Sequence, residues 1–223
     1  MPEADDSLPP RLPRALLLAL EGPRAALEAS ALPAAAPWLA RAPRGDGHPV
    51  LVLPGFLASD VSTRVLRGVL RAWGYRAHGW ELGRNHGPND ELRRGLRERL
   101  RELSTRGKVS LIGWSLGGVY ARELAKAAPD RVRLVITLGS PFGRSASPPV
   151  PSTAIYSKSD GIVDWQACRE APATQTENIE LVGSHCGLGF HPLALLAIAD
   201  RLAQPESRWK PFDRGGLRGA LYA

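Results

Sequence analysis

From Pro49 onward, short apolar runs rich in β-branched residues alternate with segments of helical period, and that order leaves few folds open. Strands are expected near 50–53, 76–82, 108–113, 133–138, 153–157 and 178–182, and helices near 60–73, 90–103, 116–128 and 192–203. Strands that are apolar along their whole length are buried on both faces, which is the condition of a parallel sheet whose crossovers are helices. The chain is therefore expected to be an α/β protein with a mostly parallel six-stranded sheet and helices on both faces. At 223 residues and 43% hydrophobic, it suits one such domain with a substantial core. Residues 1–47 are read as an N-terminal helical extension, 48–206 as the core and 207–223 as a tail packing on it. Within the extension, 14–39 reads as one or two short helices punctuated by Pro23, Pro33 and Pro37.

The formal charge of +7 raises the question of nucleic acid. The cations are almost all arginines, and many lie on expected helices, as Arg93, Arg94, Arg97, Arg99 and Arg101 do among Glu91, Glu98 and Glu102. Such interleaving is a solvated helix face. No zinc spacing, helical basic region or aromatic RNA-binding motif accompanies it, so no nucleic-acid partner is expected. No run approaches the roughly 20 apolar residues of a membrane-spanning helix, so a soluble chain without stable membrane insertion is expected. A secretory signal is not expected either, because Glu3, Asp5 and Asp6 open the chain and the apolar run from Ala15 to Leu20 meets Glu21-Gly22-Pro23. Nothing in the sequence implies an obligate protein partner.

Gly113-Trp114-Ser115-Leu116-Gly117 has the Gly-x-Ser-x-Gly form, weak alone but strengthened by its setting. Val109-Ser110-Leu111-Ile112 reads as a buried strand and 118–128 as a helix, so the motif falls on a strand-turn-helix junction. That is a nucleophile elbow, in which a strained turn holds the serine hydroxyl above the sheet. Gly113 and Gly117 are then needed because the backbone turns too sharply for side chains.

A serine hydroxyl needs an imidazole to take its proton, and the imidazole needs an acid to orient it. With chain order Ser, acid, His, the histidines left are His185, in the loop after the last expected strand, and His191, beside Pro192 where capping is the ordinary role. His185 is preferred. For the acid, Asp160 sits where the strand 153–157 ends and Gly161 can turn the chain. Asp164 is the alternative, at a position suited to capping. Oxyanion donors are expected from the backbone N–H groups of Leu116 and Phe56, with Leu57 as the near alternative.

His48-Pro49-Val50-Leu51-Val52-Leu53-Pro54-Gly55-Phe56, the Gly-Trp-Ser-Leu-Gly elbow, Ser159-Asp160-Gly161-Ile162-Val163 and Gly183-Ser184-His185-Cys186 together resemble bacterial α/β-hydrolase lipases and esterases over about Pro49 to Leu202. The resemblance implies the α/β-hydrolase fold and ester hydrolysis by Ser115, Asp160 and His185 with no metal or organic cofactor. Gly83-Arg84-Asn85-His86-Gly87-Pro88 also looks like a loop bordering the pocket in such lipases, and no role is assigned to it. Many family members insert a helical lid before the acid-bearing strand, whereas here only 139–152 intervene. A lidless enzyme without a cap domain is expected, its open cleft lined by Phe56, Leu57, Trp114, Phe142, Ile162 and Trp165. Small-molecule or polymeric esters are the expected substrates. Acyl transfer to another acceptor, or a non-catalytic binding role for the same fold, are the alternatives.

Cys168 and Cys186 are the only cysteines, and each lies close to a proposed catalytic residue. Since Asp160 must reach His185, a disulfide between them is expected; closing a loop of about 18 residues, it would contribute roughly 3 kcal/mol. Two reduced thiols are the alternative.

Overall fold

The computed structural model describes residues 14–223. Its six strands are β1 (Pro49–Leu53), β2 (Arg76–Gly79), β3 (Val109–Trp114), β4 (Val132–Leu138), β5 (Ser152–Tyr156) and β6 (Thr176–Glu180). They form one sheet in the order β2-β1-β3-β4-β5-β6, and every pair is parallel. The chain winds outward from β1 to β2, then returns to the other side of β1 to place β3. The crevice at the carboxyl ends of β1 and β3 is thus a topological switch point, where open α/β sheets bind ligands.

The helices are α1 (Arg14–Ala19), α2 (Glu21–Ser30), α3 (Leu32–Ala40), α4 (Arg64–Ala72), α5 (Asp90–Leu103), α6 (Leu116–Ala127), α7 (Pro192–Leu202) and α8 (Arg218–Leu221). Alternate residues of β1 serve opposite layers. Val50 and Val52 pack with Leu66 and Leu70 of α4 and Leu195 and Ile198 of α7. Leu51 and Leu53 pack with Leu96 and Leu100 of α5 and Tyr120 and Leu124 of α6. In α5 the buried residues are Leu92, Leu96 and Leu100, four apart on one face, each contributing about 1.5–3 kcal/mol by burial. Asn89 caps that helix by accepting from the Leu92 N–H at 2.8 Å. Arg94, Arg97 and Arg101 face solvent, and Arg99 pairs with Glu81 and Glu102.

Several boundaries differ from the sequence expectation for physical reasons. The second strand stops at Gly79 because the Asp60 carboxylate takes the N–H groups of Trp80 and Glu81, both at 3.0 Å, and Glu81 turns to φ +62°. Asp60 consequently lies in a turn ahead of α4, which starts at Arg64. Three short helices replace the one or two expected before β1, because Pro23 and Pro33 fall in first turns, where a missing N–H costs no bond. The last strand lies two residues earlier than expected, leaving Val182 exposed. At the far end, Ala223 exchanges two backbone hydrogen bonds with Glu180, and Tyr222 packs edge-on against Phe212.

Candidate active site

Ser115 stands between β3 and α6 with φ +54° and ψ −125°, a backbone conformation that costs a non-glycine residue about 1–3 kcal/mol. The surroundings impose it. The Ser115 N–H donates to the Leu138 carbonyl at 2.8 Å, and the Ser115 carbonyl accepts from the Gly118 N–H at 3.0 Å. A Cβ on Gly113 would overlap the backbone of Gly117 and Gly118, and one on Gly117 would overlap that of Leu53 and Pro54. Gly118, outside the motif, is equally constrained, because a side chain there would run into Ser140.

His185 follows β6, and its Nδ1 lies 2.6 Å from Oδ2 of Asp160, with both residues buried. The other oxygen of Asp160 accepts from the N–H groups of Ile162 and Val163 at 2.8 and 2.7 Å, so its own loop fixes the carboxylate. Nδ1 on Asp160 leaves Nε2 as the free face of the ring. The Trp114 indole N–H donates to the His185 carbonyl at 3.0 Å and holds that loop from the sheet side. Asp164 and His191 have other work: Asp164 accepts from the Gln166 N–H at 2.9 Å, and Nδ1 of His191 accepts from the Leu193 N–H at 3.2 Å. Both are helix caps.

Ser115 and His185 open into one cavity of about 330 Å³, lined also by Gly55, Phe56, Ala58, Ser62, Trp114, Ile162 and Cys186. Leu57 is exposed but does not line it, having turned to φ +58°. The Leu57 N–H donates to the Asn85 carbonyl at 2.7 Å, whereas the Phe56 N–H donates to no backbone carbonyl among the described residues. Phe142 and Trp165 also lie elsewhere. Phe142 is buried beneath the Arg122 guanidinium, 3.8 Å from its ring centre, and Trp165 stacks on Tyr156 with centroids 5.9 Å apart.

The expected disulfide is absent. Cys168 and Cys186 are both free, the first with its thiol on the Asp164 carbonyl and the second facing the cavity beside His185. Burial, and next the nearby Glu21 carboxylate, push the Cys186 thiol up to about 11.

Sequence reasoning missed Asn85, which is fully buried and organises the loop after β1. Its side chain donates to the Pro54 carbonyl at 3.0 Å and accepts from the Gly87 N–H at 3.1 Å and the Tyr120 hydroxyl at 3.3 Å. The signal available was an asparagine between two glycines in an unassigned loop. Also missed were Glu21, Arg24 and Glu28, spaced i, i+3 and i+7 on one face of α2.

A hydrogen-bonded Asp-His-Ser chain lies at the opposite end of the sheet. Nε2 of His48 lies 2.8 Å from Oγ of Ser110, and its Nδ1 contacts Asp46. Ser110 is fully buried and laddered between Val50 and Leu134, so no substrate carbonyl can reach it. Burial lowers the His48 pKa, with Arg133 at 3.1 Å adding to that and Asp46 opposing it. This chain satisfies a polar residue inside the sheet.

No family model and no curated protein matches the sequence. Solved structures do. One from work on two metagenome-derived lipolytic enzymes, LipS and LipT, is 16% identical with TM-score 0.56, over 72% of this chain and 93% of that one. A monoacylglycerol lipase of Paleococcus ferrophilus is 13% identical with TM-score 0.54, over 69% and 96%. The thioesterase domain of the curacin biosynthetic pathway is 15% identical with TM-score 0.55, over 73% and 93%. With the parallel order of its strands, these likenesses establish that the chain has the α/β-hydrolase fold.

Proposed function

We propose that this protein is a carboxylic ester hydrolase working through an acyl-enzyme on Ser115. The observation that carries the reading is that Ser115, in its strained turn, and His185, already oriented by Asp160, open into the same apolar cavity. In this reading His185 Nε2 takes the proton as Oγ attacks the ester carbonyl, then returns it to the departing alcohol. The N–H groups of Phe56 and Leu116 receive the developing oxyanion; neither donates to a backbone carbonyl among the described residues. Water then attacks the acyl-enzyme with His185 as base, releasing the acid and restoring Ser115.

No carboxylate, lysine or arginine lines the cavity, which favours neutral acyl chains. Folds similar to this one are named for lipolytic and thioesterase activities, and these share the same acyl chemistry. Measured by pH-stat, acid release from a soluble short-chain neutral ester should be present in the wild type and abolished in Ser115→Ala. Equal release by both would refute the proposal.

The connection 139–151 between β4 and β5 carries no helix, which supports an open cleft without a lid. Initial rates should then rise smoothly through the solubility limit of one ester. A sharp jump at that limit would contradict this.

A further inference from the structure

We propose that Glu21 is a positioning residue for the Ser115 site, its carboxylate tying the segment that carries Asp160 to the segment that carries His185. The inference rests on the ester-hydrolase reading above. One oxygen of Glu21 accepts from the Gly161 N–H at 2.8 Å and the other from the Cys186 N–H at 2.9 Å. Those residues directly follow the acid and the base, so a single side chain cross-links the two loops.

The rest of the same helix face completes the grip. Arg24 donates to the carbonyl and the hydroxyl of Ser159 at 2.7 and 2.8 Å. Glu28 accepts from the N–H and the hydroxyl of Ser184, both at 2.6 Å. Ser159 directly precedes Asp160 and Ser184 directly precedes His185. Thus α2 holds the residue on either side of the acid and on either side of the base.

The loops are shaped for this docking. A Cβ on Gly161 would overlap the backbone of Leu17 and Leu18, and one on Gly187 would overlap the Glu28 carboxylate. Glu21 is only 4% exposed, with Arg24 at 3.8 Å. A carboxylate is costly to bury, and this one is compensated by two amide donors and a guanidinium.

The functional consequence follows from tolerance. Asp160 and His185 follow different strands; their segments meet at Gly183, which bonds the Ser157 and Ser159 hydroxyls at 3.2 and 3.1 Å ahead of Asp160 and His185, and Glu21 joins them again just beyond both. A catalytic group misplaced by about 1 Å costs on the order of 10²-fold in rate. By bonding both loops at once, Glu21 holds the 2.6 Å Asp160–His185 contact ready before substrate arrives.

The test uses the full chain. Glu21→Gln keeps the size but supplies one oxygen and one NH₂, so either Gly161 or Cys186 loses its acceptor and meets a donor. Expected are a fall of about 10- to 100-fold in kcat and in the rate of fluorophosphonate labelling, with KM changed less than about threefold. Alkylation of Cys186 by iodoacetamide in the folded variant should also quicken, because a nearby negative charge has gone; buried Cys168 serves as the internal control. A folded Glu21→Gln protein that is labelled at the wild-type rate overturns the proposal. Where circular dichroism finds Glu21→Gln unfolded, Glu28→Gln replaces it: slower labelling with unchanged KM supports the grip of α2, and wild-type labelling overturns it. A wild type that is not labelled at Ser115 removes the hydrolase reading itself, an outcome separate from a labelled wild type whose variants are indifferent.

Discussion

In the proposed mechanism the oxyanion donors are backbone N–H groups that no substitution deletes, but Asn85, which holds the loop of Phe56, can be replaced. Asn85→Ala removes the side chain that links the loop after β1 to its neighbours, leaving the Pro54 carbonyl, the Gly87 N–H and the Tyr120 hydroxyl unpaired. Each such buried group costs about 1–3 kcal/mol, and water entering the vacated volume offsets part of the sum, so a loss of about 2–4 kcal/mol is expected. For a chain of this size that is a fall in Tm of about 5–15 °C. The backbone bonds between Asn85 and Leu57 and Ala58 survive, at 2.7 and 2.8 Å, so the loop is loosened without being released. An oxyanion donor is worth about 10²–10³ in kcat, and partial displacement of the Phe56 N–H should cost about 10- to 100-fold with little change in KM. Steady-state kinetics on a soluble ester, run well below the variant's Tm and beside a thermal melt, measures both. A protein whose Tm falls as expected while kcat stays at the wild-type value would refute the placement of the oxyanion donor on Phe56.

The two aspartates should separate cleanly: Asp160→Asn is expected to lower kcat by roughly 10⁴, as loss of the orienting carboxylate does in such triads, whereas Asp164→Asn, losing only a cap, should stay within a few-fold; equal effects in steady-state assays would contradict the assignment. Stability should decline on mild acidification. His48 and His191 have folded pKa values lowered by burial from 6.5, so the unfolded chain takes up protons that the folded one does not. The groups around His48 are Asp46, Arg133, Arg76, Tyr75 and Ser110, and the two arginines disfavour its protonation. By linkage the contribution is fully present above about pH 6.5 and is lost as pH falls below it, by about 1 kcal/mol per buried histidine at one unit lower. The urea midpoint should therefore be lower at pH 5.5 than at pH 7.5, and an unchanged or higher midpoint would count against a neutral His48.

Which parts of this architecture were legible in the sequence depended on how local their causes are. The runs in β1, β3, β4 and β5 are buried almost throughout on both faces and mostly apolar, so period and composition agreed. The end of β2 depended on Asp60, a carboxylate nearly 20 residues earlier whose target is invisible without tertiary structure. At the site, Ser115 was legible because its glycines sit at fixed local offsets. The contact between Asp160 and His185 was legible through chain order and through the capping roles that suit Asp164 and His191. Three-dimensional contact, invisible to spacing, engages the Leu57 N–H and turns the two cysteine side chains to different neighbours. Phe142 and Trp165 were chosen as apolar neighbours of the site in sequence, but a ring and a guanidinium claimed them. The face of α2 was written in the spacing of Glu21, Arg24 and Glu28, yet its target lies more than 130 residues away. Hydrogen bonding alone would have nominated Ser110 with His48 and Asp46, whereas at the cavity the bond seen is that between His185 and Asp160; it is burial that disqualifies Ser110.

The central claim is that Ser115 is the nucleophile. The most direct measurement is fluorophosphonate labelling of the full chain followed by peptide mapping, with Ser115→Ala and His185→Ala in parallel. The account requires one label per chain, placed by fragmentation on Ser115 and not Ser110, none in Ser115→Ala, and strongly slowed labelling in His185→Ala. No label in the wild type, or a label that maps to Ser110, would contradict it.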